Sequence, residues 1–505
     1  MIRVLFAGAL LVLAVALPPE PLAAADAAPK AKKPPAAAAE PPLPADSATL
    51  HTIRARGRSI TYTALAGTLP LTNAKGEQTA EVFYIAFTEN DADRSKRPIT
   101  FAMNGGPGAG SAYLDVGAIG PRVLDFGAGR TVPPASPALI DNPDTWLDFT
   151  DLVFIDPVGT GYSRGLGSSE ETAKQFWGVR PDLASLGSII RLLLAHLDRV
   201  GSPIYLVGES YGGFRAARLP LRLADDEGIN VRGAVLISPI LEFSLGNGDA
   251  FNPLPWALRL PAYAAVHLEA GGKLTPAALA EAERYALGDY VATLVAAPHD
   301  AKRNGELYGK VAALTGLPES VVERWQGRVP LNVFVKEIRH GEDELVSRYD
   351  GSYAGLDPYP DDTRPQSGDP ILEGLRATFT TGFVSYVRDE LHFLADRRYE
   401  LLSHEVSRHW EWSEHDGARA AGASDDLREG LALDPHLKVL IAHGMTDLQT
   451  PYLASRYIVD HLPASLTHGR VTLRLYAGGH MMYLRPASRA ALHDDAQSLF
   501  AATVE

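Results

Sequence analysis

Residues 204–212 have the sequence IYLVGESYG, in which a serine follows a short apolar run and precedes an apolar helical pattern. The glycines two positions before and after Ser210 leave room for a tight turn, because a Cβ at either position would keep the strand and the helix apart. A serine in such a strand-to-helix turn is typical of a nucleophile held in a strained backbone conformation. The segment therefore predicts an α/β protein with Ser210 at the end of a sheet strand.

The same spacing of glycines around a serine occurs a second time, in the sequence GYSRG at residues 161–165. This second serine, Ser163, is separated by a loop from the apolar run at residues 152–155. No helical pattern follows it directly. The context therefore favours Ser210 over Ser163 as the nucleophile.

Short apolar runs without alternation predict further strands that are buried on both faces, as in a parallel sheet. They lie at residues 99–103, 152–155, 234–237, 439–442 and 471–476. Residues 53–88 instead alternate apolar and polar positions around a turn at residues 74–76, which predicts antiparallel strands at the sheet edge. Residues 181–197 carry the clearest helical pattern, with leucines and isoleucines along one face.

The serine turn and the strand pattern together predict an α/β-hydrolase fold with a mostly parallel central sheet and N-terminal antiparallel edge strands. Between residues 241 and 433 no comparable series of strands occurs, so we expect a large, mainly helical cap insertion there. The catalytic domain is then expected to comprise residues 48–240 and 434–505.

The first residues have the pattern of a secretory signal peptide, since Arg3 precedes an apolar run at residues 4–17 and small residues at 23–25. The alternatives are an uncleaved anchor and a buried helix, but the apolar run is short for a membrane span. We expect a signal peptide at residues 1–25 and a linker rich in Ala, Pro and Lys at residues 26–47. The protein is therefore expected to be exported, periplasmic or secreted, without a stable membrane anchor.

The composition excludes several classes of function. The chain has 505 residues, 47 Lys and Arg against 61 Asp and Glu, a formal net charge of −14 and no cysteine. An acidic balance argues against a nucleic-acid partner, and the lack of cysteine excludes disulfides, thiolate catalysis and Cys-ligated metals. There is no His-Glu-x-x-His sequence, P-loop or dinucleotide fingerprint in a suitable context, so no metal or cofactor is expected. The oligomeric state stays open.

A serine nucleophile needs a base, and the base needs a carboxylate that orients it. In α/β hydrolases the acid and then the histidine follow the serine in the chain. Asp447 lies just after the apolar run at residues 439–442, and His480 follows the run at 471–476 behind two glycines. We therefore predict that Ser210, Asp447 and His480 form a catalytic triad.

Four other histidines compete with His480 for the role of the base. His461 and His493 lie in helical patterns and His468 precedes a strand, so all three are expected at the surface. His443 is expected in a loop near the site.

Stabilising a tetrahedral intermediate requires two N–H donors that point at the developing oxyanion. The residue after the nucleophile, Tyr211, supplies one of them. The glycine-rich loop at residues 104–108, sequence NGGPG, directly follows the strand predicted at residues 99–103. Its glycines allow the backbone to approach a substrate closely, so the second donor is expected there.

Four blocks in this order resemble the serine carboxypeptidase family. They are residues 104–108, residues 154–163 with the sequence FIDPVGTGYS, residues 208–213 with the sequence GESYGG, and the pair Asp447 and His480. The segment with Asn142-Pro143 and Trp146 also fits. The resemblance extends from about residue 99 to residue 481, and the lack of cysteine is typical of a bacterial exported member.

The resemblance implies removal of C-terminal amino acids from peptides. In the family the substrate carboxylate is held by residues that correspond to Asn104, Gly105 and Glu209. The oxyanion donors correspond to the backbone of Gly106 and Tyr211. A glutamate holds a carboxylate only while it is protonated, because two anions repel each other, and this explains acid-favoured activity.

The sequence departs from the family pattern near this subsite. The second glutamate that usually partners the first corresponds here to Ala118, and Asp115 lies three residues away, so the carboxyl pair is absent or rebuilt. Arg215 is an unusual charge beside the serine turn, and two roles are open for it: binding a substrate carboxylate or forming a structural ion pair. We therefore expect a pH optimum above the usual acidic range.

Three other functions stay open. A carboxylesterase or acyltransferase would use the same triad without needing Asn104 or Glu209. An aminopeptidase would require an acidic amine-binding site in the cap. A binding module with a dead site is disfavoured by an intact Ser210, Asp447 and His480.

Overall fold

Ten strands form the central sheet of the computed structural model, in the order β1-β2-β3-β7-β4-β9-β10-β13-β14, with β8 beside β3. Two further pairs, β5-β6 and β11-β12, form small separate sheets. The strands are β1 (Ser47–Ala55), β2 (Arg58–Thr72), β3 (Gln78–Glu89), β4 (Ile99–Met103), β5 (Arg122–Leu124), β6 (Leu139–Asp141), β7 (Asp151–Ile155), β8 (Arg164–Gly165), β9 (Ile204–Glu209), β10 (Gly233–Ile237), β11 (Glu344–Val346), β12 (Ala354–Leu356), β13 (Lys438–Gly444) and β14 (Val471–Tyr476).

The structure describes residues 41–126, 138–246, 248–249, 251–296, 301–413 and 421–503. The signal peptide expected at residues 1–25 and the linker up to residue 40 lie outside the described residues. Residues 42–505 form one compact unit. Among the described helices, none has both the length and the apolar character needed to cross a bilayer.

The sheet is parallel from β7 to β14 and antiparallel from β1 to β3, and β3 also pairs antiparallel with β7. Alternate residues of β7 show why its sequence is apolar throughout. Leu152 and Phe154 belong to the core on one face of the sheet, while Val153 and Ile155 belong to the core on the other. Both faces are covered, so every side chain of the strand is buried. The predicted fold class is confirmed.

Helices surround the sheet and fill the stretch between β10 and β13. They are α1 (Ala112–Leu114), α2 (Ser169–Phe176), α3 (Val179–His196), α4 (Tyr211–Glu227), α5 (Leu254–Ala270), α6 (Pro276–Tyr285), α7 (Val291–Ala296), α8 (Ala301–Thr315), α9 (Glu319–Arg324), α10 (Leu331–Glu337), α11 (Pro370–Ser385), α12 (His404–His409), α13 (Ser424–Leu433), α14 (Tyr452–His461), α15 (Ala464–Thr467) and α16 (Pro486–Ala502). The helix predicted at residues 181–197 is α3, and its leucine and isoleucine face is buried.

Between β10 and β13, the described residues contain helices α5 to α13 and the hairpin β11-β12, which does not join the central sheet. Part of this segment has a core of its own, in which the rings of Tyr263 and Phe334 stack with centroids 3.9 Å apart. The boundaries of the cap at residues 241 and 433 stay a prediction.

Candidate active site

Ser210 occupies a sharp turn between β9 and α4, with φ 59° and ψ −120°. The flanking glycines are required by the backbone around them. A Cβ on Gly208 would lie 1.9 Å from the carbonyl oxygen of Gly212, and a Cβ on Gly212 would lie 2.3 Å from the carbonyl oxygen of Met103. Ser210 keeps partial access to solvent, whereas its neighbours Glu209 and Tyr211 are buried. The turn therefore presents this one side chain at the carboxyl edge of the sheet.

Asp447 and His480 come from the segments that follow β13 and β14, and the structure brings them together. His480 Nδ1 lies 2.8 Å from Asp447 Oδ2. The Thr450 hydroxyl donates to Asp447 Oδ2 over 2.7 Å, and the N–H groups of Gln449 and Thr450 donate to Asp447 Oδ1. Both members of the pair are buried, at 0% and 2% exposure. The carboxylate is therefore held in one orientation toward the imidazole.

The pKa of His480 lies above its ordinary value. Burial alone would lower the pKa, but the charge and the hydrogen bond of Asp447 raise it, with a smaller contribution from Glu209. The backbone of His480 is fixed as well, since its carbonyl accepts from the Ser238 hydroxyl over 2.8 Å. The Tyr349 ring packs edge-on against the imidazole at a centroid distance of 5.3 Å.

His480, and none of the competing histidines, is the partner of Asp447 in the structure, although His443 lies near enough to both residues for their charges to affect its pKa. His443 is not in a loop: it lies in β13, fully buried, with Nε2 2.8 Å from the Ser455 hydroxyl. Burial lowers the pKa of His443 to about 4, so it stays neutral at physiological pH. The expectation of a surface position is wrong for His493, which is 1% exposed because its ring packs against Phe149. His461 and His468 are exposed, as expected.

The loop at residues 104–108 lies directly against the serine turn. A Cβ on Gly105 would lie 2.5 Å from the backbone nitrogen of Tyr211, so a glycine is required for this approach. Gly106 has φ 100°, which also favours glycine. Tyr211 is the first residue of α4, so its N–H has no acceptor within the helix. The two expected oxyanion donors thus belong to neighbouring backbone segments.

Glu209 and Asn104 meet beside the serine turn. The side-chain amide of Asn104 donates to Glu209 Oε2, and Asn104 Oδ1 accepts from the N–H of Leu114 over 3.0 Å. Burial raises the pKa of Glu209 to about 7, although His480, Tyr483 and Asn104 each act to lower it. A carboxyl group with this pKa exchanges its proton close to neutral pH.

Arg215 has the structural role of the two that the sequence left open. Its Nε and Nη2 bind the two carboxylate oxygens of Asp182 in α3, at 2.7 and 2.9 Å, and its Nη1 donates to the backbone carbonyl of Asn104 over 2.7 Å. Arg215 is 1% exposed. Direct binding of a substrate carboxylate is therefore corrected to an ion pair that supports the loop carrying Asn104.

Asp115 does not rebuild the carboxyl pair around Glu209. It lies in a helical turn, Asp115–Ile119, is fully buried, and neither of its carboxyl oxygens has a hydrogen-bond partner among the described residues. Burial and the charge of Asp156 raise the pKa of Asp115 well above its ordinary value. Ala118, in the same turn, is also fully buried.

Ser163 of the second serine motif is a buried structural residue. Its hydroxyl donates to the Asp156 carbonyl over 2.6 Å and accepts from the N–H of Phe83 over 2.8 Å. The Asp156 carboxylate accepts from the N–H of Tyr162 over 3.3 Å, which braces the loop of Ser163, and from the N–H of Ser111 over 2.7 Å. Ser163 therefore has no free hydroxyl to offer a substrate.

Sequence reasoning missed four polar side chains around the site. Thr450 follows Asp447 by three positions and Tyr483 follows His480 by three, a spacing that places them in the same loops. Tyr113 and Tyr349 have no such signal, since they come from α1 and from the stretch between β11 and β12. Across the residues that the structure describes, no group of three His, Asp or Glu side chains is arranged to hold a metal ion.

The sheet order and the serine turn define an α/β-hydrolase fold. Residues 63–245 match the family model described as serine carboxypeptidase, a segment that contains Ser210 and the loop at 104–108. The resemblance seen in the sequence is thereby confirmed for this segment of the chain. Asp447 and His480 lie outside the matched segment.

Two curated relatives are similar to this chain in sequence, and one solved structure is similar to it in fold. A probable serine carboxypeptidase of Arthroderma benhamiae is 32% identical over 162 residues, which are 29% of this chain and 27% of the relative. Serine carboxypeptidase-like 45 of Arabidopsis thaliana is 28% identical over 171 residues, 32% of this chain and 34% of the relative. The chain thus matches only about a third or less of these relatives' lengths. The crystal structure of VinJ has a TM-score of 0.38 and 14% identity, covering 86% of this chain and 98% of VinJ.

Proposed function

We propose that this chain is a serine carboxypeptidase that releases C-terminal amino acids from peptides. The observation that carries the proposal is the convergence of two features on one edge of the sheet. The first is the buried pair of His480 and Asp447, and the second is the Glu209 carboxyl beside Ser210. A triad alone suits any acyl transfer, whereas a protonatable carboxyl next to the nucleophile suits a substrate that ends in a carboxylate.

In the proposed mechanism, Ser210 Oγ attacks the scissile carbonyl carbon while His480 Nε2 takes the hydroxyl proton. Asp447 keeps the imidazole in the tautomer with its proton on Nδ1 and stabilises the imidazolium that forms. The N–H groups of Gly106 and Tyr211 donate to the oxyanion. His480 then gives its proton to the leaving amine, the C–N bond breaks, and an acyl ester on Ser210 remains.

Water completes the cycle. His480 takes a proton from a water molecule, whose oxygen attacks the ester carbonyl, and the second tetrahedral intermediate uses the same two N–H donors. Collapse of this intermediate returns the proton to Ser210 Oγ. The shortened peptide leaves with a new C-terminal carboxylate.

Recognition of the substrate terminus is assigned to Asn104, Gly105 and Glu209. The Glu209 carboxyl binds a carboxylate only in its protonated form, because the ionised form would repel it. With a pKa near 7, Glu209 keeps its proton over a much wider range than an ordinary glutamate does. This supports the expectation of an optimum above the usual acidic range.

The test is mass spectrometry of one peptide in two forms, with a free and with an amidated C-terminus, incubated with the protein at pH 4.5 and 7. We expect stepwise loss from the free C-terminus, much weaker cleavage of the amide, and no cleavage by Ser210→Ala. Ser498→Ala, which removes an exposed hydroxyl in α16, is the matched control and should be fully active. Hydrolysis of short esters that depends on Ser210, without any peptide cleavage, would instead support the carboxylesterase alternative.

We further propose export with cleavage of the signal peptide expected at residues 1–25, since that segment has a charged start, an apolar run and small residues. N-terminal sequencing of the protein recovered from outside the cytoplasm tests this. A mature N-terminus near residue 26 is expected, and an intact Met1 would contradict it.

A further inference from the structure

Glu209 is surrounded by more phenol groups than carboxyl groups. The side chains that interact with it are Asn104, Tyr113, Tyr349, Asp447, His480 and Tyr483. Asp447 belongs to the pair with His480 and is held by the hydrogen bonds described above. Among these side chains of the described residues, no second carboxyl group is therefore left to share a proton with Glu209, and three of the six are tyrosines.

Tyr113 and Tyr483 are both deeply buried, at 5% and 0% exposure. Neither hydroxyl has a hydrogen-bond partner of standard geometry among the described residues. The Tyr483 hydroxyl nonetheless interacts with the Glu209 carboxyl. A buried hydroxyl without a partner is costly, so two of them at one carboxyl group indicate a site that is completed by another group.

Tyr483 lies next to the turn in which the second glutamate is missing. Its ring packs against the turn Asp115–Ile119, where a Cβ on Gly117 would lie 2.9 Å from the Phe379 ring and 3.4 Å from Tyr483 Cε2. The next residue in that turn is Ala118, the position at which the resemblance implied a glutamate. The small residues of this turn thus pack against two rings, that of Phe379 and that of Tyr483, which arrives from the loop after His480.

Resting on the proposed function, we propose that Tyr483, with Tyr113 beside it, takes the place of the second carboxyl group and is a positioning residue for Glu209. Its hydroxyl holds the Glu209 carboxyl toward the terminus of the substrate. Burial raises the pKa of the Tyr483 phenol well above its ordinary value, so it remains a donor at every pH at which the protein works. A second carboxyl group would lose its proton over the same range.

The first test is direct titration of Glu209, which needs no substrate. The infrared band of a protonated carboxyl group that disappears in Glu209→Gln identifies this residue. In Tyr483→Phe the Glu209 band should persist to a pH about one unit higher than in the unsubstituted protein, because the nearby hydroxyl that favours the ionised form of Glu209 has been removed. The same midpoint in both proteins would overturn the proposal, whatever their activity.

The second test compares kcat/KM for a blocked dipeptide with a free C-terminus and for an ester that lacks a carboxylate. Tyr483→Phe should lower kcat/KM for the dipeptide roughly tenfold at pH 6 and leave the ester unchanged. Tyr84→Phe, which also removes a buried phenol hydroxyl but lies in β3, is the matched control and should leave both values unchanged.

The outcomes separate the two proposals. An equal loss of kcat/KM on both substrates would make Tyr483 merely structural and would overturn its role. If the unsubstituted protein hydrolyses the ester but not the dipeptide, the carboxypeptidase proposal fails. In that case the infrared midpoints alone decide whether Tyr483 controls the Glu209 proton.

Discussion

Replacing Glu209 by Gln should remove the alkaline decline of activity on substrates with a free C-terminus. The glutamine amide can donate a hydrogen bond to a carboxylate at every pH, as the protonated glutamic acid does below its pKa. In the unsubstituted protein that pKa is raised to about 7, first by burial and then by the charge of Asp447. Below the pKa, Glu209 is neutral and compatible with the substrate terminus, and above it Glu209 is an anion that repels it.

The size of the effect follows from the pKa. With a pKa of about 7, about one Glu209 in eleven is still protonated at pH 8, so kcat/KM should fall roughly tenfold between pH 6 and pH 8 from this cause. In the proposed mechanism the acid side of the profile depends on His480, which must be neutral to act as a base. Its pKa is raised, so activity should increase as the pH rises through a value above the ordinary histidine pKa. A neutral His480 and a protonated Glu209 are therefore expected together near neutral pH.

The assay is kcat/KM between pH 5 and 9 for a blocked dipeptide and for an ester without a carboxylate. The dipeptide should give a bell-shaped profile in the unsubstituted protein and only the rising acid limb in Glu209→Gln. The ester should give the rising limb in both. Glu227→Gln, at the end of α4 and bonded to Ser188 and Arg191, is the matched control and should keep the bell.

Two results would refute this reasoning. An optimum at pH 4–5 on the dipeptide would mean that His480 and Glu209 titrate in a lower range than their surroundings indicate. An alkaline decline that persists in Glu209→Gln would assign that limb to another group.

Three further substitutions test the surroundings of the site. Gly105→Ala places a Cβ 2.5 Å from the Tyr211 nitrogen and should lower kcat at least about a hundredfold, measured on the ester. Arg215→Met leaves Asp182 buried without its cation and should lower the free energy of unfolding, measured with denaturant, by about 3–5 kcal/mol. The double variant Asp182→Leu/Arg215→Met has no unpaired buried charge and should regain much of this stability. The pKa of Asp115 is raised, so the folded state keeps a proton that the unfolded state releases. The free energy of unfolding therefore falls as the pH rises above the ordinary aspartate pKa. Asp115→Asn should show a smaller fall in Tm between pH 4 and 8 than the unsubstituted protein.

The parallel part of the sheet could be predicted because it is buried on both faces. Each of its strands is an apolar run long enough to stand out without an alignment, as β4 and β10 show. The carboxyl ends of parallel strands meet at one edge, so polar residues that follow such runs tend to gather there. This is why Ser210, Asp447 and His480 could be nominated from the sequence, and why the structure finds them at the same edge.

Residues whose surroundings are set by distant segments could not be placed in this way. His493 has a helical neighbourhood that suggests a surface position, yet Phe149, which lies more than 300 positions earlier, covers its ring. For Arg215 the sequence indicated that a partner was needed but not which residue it would be. A cation in an apolar helix must have a partner when it is buried, so a buried anion was required, but nothing local indicated that Asp182 would supply it.

The altered carboxyl pair shows where sequence comparison ends and packing begins. Counting from the loop at residues 104–108 identifies Ala118 as the position of the missing glutamate. It does not show which side chain fills the volume there, and a folded interior leaves little volume empty. The volume beside Gly117 is filled by the rings of Phe379 and Tyr483, and Tyr483 comes from the loop of the catalytic histidine candidate, more than 360 positions later. In our proposal the same packing brings a phenol to Glu209 in place of the missing carboxyl group. The proposal thus pairs the departure at Ala118 with Tyr483, and the pH at which Glu209 loses its proton is the property that tests this pairing.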